Sequence, residues 1–357
     1  MNKNVADVDI RDMKIGDLKN IDYEWYVAEA QKRIEELEAE NAKIEGNNAP
    51  LLRKTFTIDQ NIKQAKVFVT GMGYFELYVN GQRVGDDYLV PNFTNYTHRK
   101  DLKENAGITI DDNFSKYRVL YLSYDITKQL RKGGNAIGAV LGNGFYKCLC
   151  RWTRTFGDLC LLCQVELTYK DGTKKIIPTD DTWLTHPSAI VMNGVYDGEI
   201  YDARKEIPAW SETGCNESDW TKAQIVEGPK GELTAHTSPT DKIVETLSPT
   251  SFKKQNDGSF EVDFGKEVSG WIRLTDVQGK AGDTLKVKYI CESPLGQQTY
   301  IYKGTGKERY APRFTWYVFR KAIISGIDDL TANQLKAEVV NTDVPVTATF
   351  KTSNALI

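Results

Sequence analysis

The chain has 357 residues, 40% of them hydrophobic, and a formal net charge of −3. That length allows about two domains, and the apolar content excludes a disordered chain. The even charge balance disfavours nucleic-acid binding, which shows as a basic surplus or stripe. No apolar run reaches the roughly 18 residues of a membrane-spanning helix.

The first residues, MNKNVADVDIRDMKIGDLKN, are charged and lack a continuous apolar stretch. No secretory signal is read there, so a cytoplasmic location is expected with Met1 as the start. Val27, Ala30, Ile34, Leu37 and Ile44 then recur at helical spacing, with Asn41 in the same series. Asp22 suits an N-cap and Gly46 a C′ position. The pattern predicts one amphipathic helix over 21–45, within an N-terminal extension of residues 1–49. Its apolar stripe is expected to lie on the neighbouring domain, because a coiled coil needs more heptads.

From Leu51 the period changes from 3.6 to 2. KVFVTG, YFELYVNG, RVLYLSYDI, AIGAVLG, LLCQVELTY and KKIIPT read as short strands. Asn80-Gly81, Gly133-Gly134-Asn135 and Asp171-Gly172 are turn signals between them. A first antiparallel β-sandwich is expected over 50–210. Residues 211–250, with Gly, Pro, Ser and Thr, read as linker and loops. SFEVDFG, GWIRLTDVQG, TLKVKYICE, YVFRKAIISG and LKAEVVNT predict a second sandwich over 251–348. Residues 349–357 carry Phe350, Leu356 and Ile357, apolar at a terminus, and read as a stub leading into further sequence. The fold class is mostly β: two antiparallel, jelly-roll-like sandwiches and one N-terminal α-helix.

Six cysteines are too few for a disulfide scaffold. Cys148, Cys150, Cys160 and Cys163 cluster, and C-x-C followed by C-x-x-C raises zinc. Cys160 and Cys163 sit three apart in a strand-like run, which puts their thiols on opposite faces. They are read as small buried hydrophobes. The three histidines, His98, His186 and His236, form no metal-type pair. The G-x-G at Gly71 and Gly73 lies between two strands and opens no helix, against a dinucleotide site.

Two constellations carry chemistry. In YDGEIYDAR, Asp197, Glu199 and Asp202 lie near Arg204. Paired carboxylates can act as acid and base in glycoside hydrolysis. The structural reading is preferred: Arg204 bridges the acids and pins the segment to the sheet. Asn95-Tyr96, Gly142 to Tyr146, Trp152 and Phe156-Gly157-Asp158 place aromatics beside small polar residues in loops. Sugars stack C–H faces on such rings while amides and carboxylates bond their hydroxyls. The competing reading is packing beneath long loops.

GMGYFELYVNGQRVGDDYLVPNFTNY, YDITKQLRKGGNAIGAVLGNGFY and VYDGEIYDARKEIPAWSE resemble the first accessory β-sandwich of bacterial α-L-rhamnosidases of glycoside hydrolase family 78. VDFGKEVSGWIRL, PRFTWYVFRKAIISGI and VVNTDVPVTATFKTSN resemble the next, concanavalin-like sandwich. The resemblance runs in collinear order from about Pro50 to Ile357.

It implies hydrolysis of terminal α-L-rhamnosides with inversion by the full-length enzyme. The implied catalytic carboxylates lie in a helical barrel that begins just after the segment matching TFKTSNALI. No catalytic residue therefore transfers to this chain, which is expected to be inactive alone and to support the barrel. The resemblance also implies carbohydrate contacts at Asn95, Asn143, Tyr146, Trp152 and Asp158. Asn95 and Asp158 would be ligands for calcium, a cation that prefers hard oxygen donors; no other cofactor is implied. Asp197, Glu199, Asp202 and Arg204 stay structural. The implied partners are rhamnose-containing glycans or glycosides and the catalytic barrel, with neither nucleic acid nor membrane. A free-standing rhamnose-binding sandwich and a purely structural sandwich or adhesin are the competing readings.

Overall fold

The computed structural model describes residues 48–96, 117–147, 156–290 and 297–354. The helix expected over 21–45 lies outside these residues, as do Cys148, Cys150 and Trp152. Everything described belongs to one unit, Asn47–Ile357.

The first strands are β1 (Pro50–Ile58), β2 (Ile62–Gly71), β3 (Tyr74–Val79), β4 (Gln82–Arg83), β5 (Arg118–Asp125), β6 (Gly133–Gly142), β7 (Leu161–Tyr169), β8 (Lys174–Pro178) and β9 (Leu184–Pro187). Next come β10 (Ile190–Gly194), β11 (Gly198–Asp202), β12 (Thr221–Lys222), β13 (Glu232–Ala235), β14 (Asp241–Leu247) and β15 (Ser251–Lys254). The last are β16 (Phe260–Val277), β17 (Thr284–Ile290), β18 (Gln297–Ile301), β19 (Glu308–Tyr310), β20 (Tyr317–Ser325) and β21 (Leu335–Thr342). Two 3₁₀ turns, Ala203–Lys205 and Ala332–Gln334, are the helical elements among the described residues.

The expected alternation is present. In β7, Cys163, Val165, Leu167 and Tyr169 point inward with more exposed residues between them. In β17, Leu285, Val287 and Tyr289 are buried while Lys286 and Lys288 face water. Asn80 and Gly81 both adopt positive φ, 49° and 81°, as a two-residue hairpin turn between β3 and β4 requires.

Two sheets face each other in the first sandwich. Their strand orders are β12-β9-β1-β6-β3-β4 and β13-β5-β2-β7-β8. Val67, Val69 and Val165 of one meet Leu77, Ile137, Ala139 and Leu141 of the other. The third sheet, β10-β11-β18-β17-β20-β16-β21-β14, curls around its own core of Phe264, Trp271, Leu285, Tyr300 and Phe319. The 18-residue β16 makes that curl: its first half pairs β15 and β20, and its second half pairs β21 and β19.

Two segments are placed differently from their reading in the sequence. Strands β10 and β11, read with the first sandwich, join the third sheet through parallel pairing of β11 with β18. The stretch read as linker and loops forms β12, β13 and β14, which pair β9, β5 and β21. Each takes an edge position in a different sheet.

The two sandwiches share an apolar seam of Leu51, Tyr74, Leu89, Val140, Ile190, Val195 and Phe314. Strand β6 is buried on both faces for this reason. Ile137, Ala139 and Leu141 serve the inner core, and Gly138, Val140 and Gly142 face the seam. A Cβ on Gly142 would collide with the Cβ and Cγ of Phe314. Gly142→Ala should therefore destabilise the protein by about 1–3 kcal/mol, an overpacking cost, read as a lower urea midpoint. Gly134→Ala, where the nearest atom is Thr213 Cγ2 at 3.6 Å, is the control and should change far less. Equal midpoints for the two variants would refute the close packing at Phe314.

Candidate functional site

The loops read as sugar-binding converge on an aromatic cluster. Tyr146 is 6% exposed and packs with Met72, Tyr96 and Val119. Its ring stacks on Phe156 (centroids 5.8 Å apart, planes 19° apart) and meets Tyr96 edge-on at 5.2 Å. Phe93 covers this group, 5.9 Å from both Tyr96 and Phe156, and remains 45% exposed. Asn95, half-buried, precedes Tyr96, and the exposed Asp158 follows Phe156 by two residues. The Asp158 carboxylate accepts from Lys147 Nζ at 2.9 Å.

Asn143 departs from its expected role. It is only 2% exposed, its side-chain amide donates to the Asn193 carbonyl at 2.7 Å, and its backbone N–H donates to Asn193 Oδ1 at 2.7 Å. Its side chain joins the end of β6 to β10 and faces no solvent. Asn95 and Asp158 would supply two of the about six to eight oxygens that Ca²⁺ takes. Among the described residues, no three His, Cys, Asp or Glu side chains gather as a metal site. Cys163 lies in the sandwich core, where burial pushes its thiol up to about 12, and Cys160 packs beside the Tyr146 cluster. The two thiols thus serve opposite faces, as their spacing predicts.

The acidic segment is split among separate tasks. Asp197 sits in the turn between β10 and β11, against Gly194. Glu199 is fully buried: Oε1 accepts from the Tyr310 hydroxyl at 3.1 Å, and Oε2 from the N–H groups of Arg313 at 3.0 Å and Phe314 at 3.4 Å. Asp202 caps the 3₁₀ turn through the Arg204 N–H at 3.1 Å. It also takes a two-pronged bond from the Arg204 guanidinium, at 2.8 and 2.9 Å. That guanidinium holds the Asp202 carboxyl below its ordinary value. The expectation that Arg204 bridges all three acids is corrected. Its guanidinium forks onto Asp202, its side chain is 49% exposed, and Glu199 is held by the third sheet instead.

Residues that local patterning did not single out complete the seam. Glu76, buried in β3, lies 3.6 Å from Arg83 of its own sandwich and 3.5 Å from Arg313 of the other. Tyr88 N–H donates to the Asp241 carbonyl at 2.9 Å across the same boundary. Two cavities open along it. One, about 340 Å³, is lined by Phe93, Phe145 and Trp316 with Asn92, Asp241 and Asn341. The other, about 400 Å³, is lined by Tyr201, Trp210, Glu206, Lys303 and Arg313. In the second, Glu206 is already engaged by the Tyr201 hydroxyl at 2.9 Å and Lys303 at 3.4 Å.

Desolvation pushes the Glu199 carboxyl up from 4.5 to about 7, against the lowering effect of its N–H and hydroxyl donors. Between those values the folded chain keeps a proton that the unfolded chain releases. Stability therefore falls as pH rises through that window and levels off above about 7, a change on the order of 3 kcal/mol. Glu199→Gln should remove this slope. Urea unfolding of both proteins from pH 5 to 8 checks it: a wild-type-minus-variant difference that stays constant means Glu199 does not titrate there.

Two family models match the chain in order. The α-L-rhamnosidase N-terminal domain covers residues 60–105 and 110–245, and the bacterial α-L-rhamnosidase concanavalin-like domain covers 253–341. An α-L-rhamnosidase of Formosa agariphila is 30% identical over 341 residues, covering 88% of this chain and 34% of that protein. One from Alteromonas is 27% identical over 368 residues, covering 97% of this chain and 38% of that protein. The solved α-L-rhamnosidase of Dictyoglumus thermophilum superposes with a TM-score of 0.76 at 34% identity, over 87% of this chain and 34% of that one. The Streptomyces avermitilis α-L-rhamnosidase solved with L-rhamnose gives 0.77 at 28% identity, over 87% of this chain and 30% of that one. The chain thus spans about a third of the length of these relatives. It belongs to the α-L-rhamnosidase family, and it carries that family's N-terminal and concanavalin-like domains.

Proposed function

We propose that the chain is the β-sandwich support of an α-L-rhamnosidase. It binds rhamnose-bearing glycosides and holds them for a catalytic part outside these domains. The observation that carries this reading is the pair of consecutive family matches, lying on two sandwiches fastened by buried bonds.

The carboxylates support it as well. Inverting hydrolysis needs two carboxyl groups about 6.5–9.5 Å apart with water between them. Glu199 is sealed from water and Asp202 is locked to Arg204, so neither is disposed for that chemistry. The proposed sugar face is the Tyr96–Tyr146–Phe156 cluster with Asn95 and Asp158, and Trp152 is proposed with it from the sequence alone. A deoxy sugar offers a methyl and C–H face to such rings, and its hydroxyls suit the amide and carboxylate.

Calorimetric titration with L-rhamnose, beside an assay of p-nitrophenyl α-L-rhamnoside hydrolysis, tests the proposal. Saturable binding without turnover is expected, with Trp152→Ala weakening it about tenfold. Turnover by this chain would overturn the supporting role, and a flat titration would overturn the sugar face.

A further inference from the structure

We propose that the 340 Å³ cavity at the seam is a second saccharide subsite, taking one neutral pyranose unit. This rests on the sugar-binding role proposed above, but on different residues. Its volume falls in the range of small-ligand pockets, about 300–1,000 Å³.

Both sandwiches build it. Phe93 and Phe145 come from the first, and Trp316, Asp241 and Asn341 from the second. The rings form a contiguous run open at both ends: Phe93, 45% exposed, is 5.5 Å from the half-buried Phe145, and Phe145 is 6.1 Å from Tyr196, which is 41% exposed. Large rings in contact with one another and open to water are unusual on a surface without a ligand. They offer the flat apolar faces on which a pyranose stacks.

The polar rim matches a polyol. Asp241 Oδ1 accepts from the Thr342 hydroxyl at 2.8 Å, which orients the carboxylate and leaves Oδ2 for a sugar hydroxyl. Asn341 is exposed at the end of β21, and its side chain is bonded to no other described residue. Asn92, on the facing wall, makes only a long 3.4 Å bond to Ser238. One carboxylate and no cation line the cavity, which selects against phosphates, sulfated sugars and uronates. The backbone bond from Tyr88 to Asp241 fixes the two walls beside the cavity, so the subsite is formed before a ligand arrives.

Ligand-observed NMR saturation transfer tests this with methyl β-D-glucoside, methyl α-L-rhamnoside and D-glucuronate as probes. Trp152→Ala isolates the seam from the loop face. In that background a neutral glycoside should still give saturation transfer, and D-glucuronate should give none. Adding Asn341→Ala should weaken the remaining binding about fivefold, as loss of one hydrogen bond does. Asn92→Ala, on the opposite rim, is the second variant; both positions are exposed, so an unchanged melting temperature is expected. No signal in the Trp152→Ala background, or a signal indifferent to both rim variants, would overturn the subsite. Identical binding by wild type and Trp152→Ala would instead sink the loop face and leave the seam standing.

Discussion

A sealed carboxylate positions the loop that joins the two halves of this molecule. Glu199, in β11, accepts the N–H groups of Arg313 and Phe314. That bond sets Phe314 against Gly142, where a side chain of any size would intrude. Around this contact, Asn143 grips Asn193, and Glu76 faces Arg83 and Arg313. Each polar group is buried at some cost, and leaving one partner unsatisfied costs about 1–3 kcal/mol. The seam is therefore intolerant of small changes, and the walls of its cavities inherit that rigidity.

Small residues make the close approach feasible. Gly138 and Gly142 alternate with Val140 on the outer face of β6, against Trp210 and Phe314. The opposite face keeps Ile137, Ala139 and Leu141 for the inner core. One strand thus serves two cores, and its run of apolar and small residues is the local signature of that double burial.

Period-two strands and Asn-Gly or Asp-Gly turns were legible because their determinants lie within a few residues. The alternation of β7 and β17 follows directly from LLCQVELTY and TLKVKYI. Pairing over long separations was not legible. Nothing near β11 says that it runs parallel to β18, and β12 and β13 are too short, at two and four residues, to carry a period. Asn143 reads as a surface loop residue until its partner, fifty positions away, is in view. Arg204 stands beside three acids in sequence, yet the turn at Ala203–Lys205 aims its fork at Asp202. The family motifs themselves were readable because they recur in order along most of the chain.

The three strands between Thr221 and Leu247 bear on how the molecule comes into being. One is added at an edge of each sheet: β12 beside β9, β13 beside β5, and β14 beside β21. During synthesis, β9 waits for β12 until about residue 222 and β5 waits for β13 until about residue 235. An unpaired edge is where strands of other chains add on. The nascent chain must therefore leave β5 without its neighbour for about a hundred residues of elongation and β9 for about thirty-five, and the same short stretch supplies both partners.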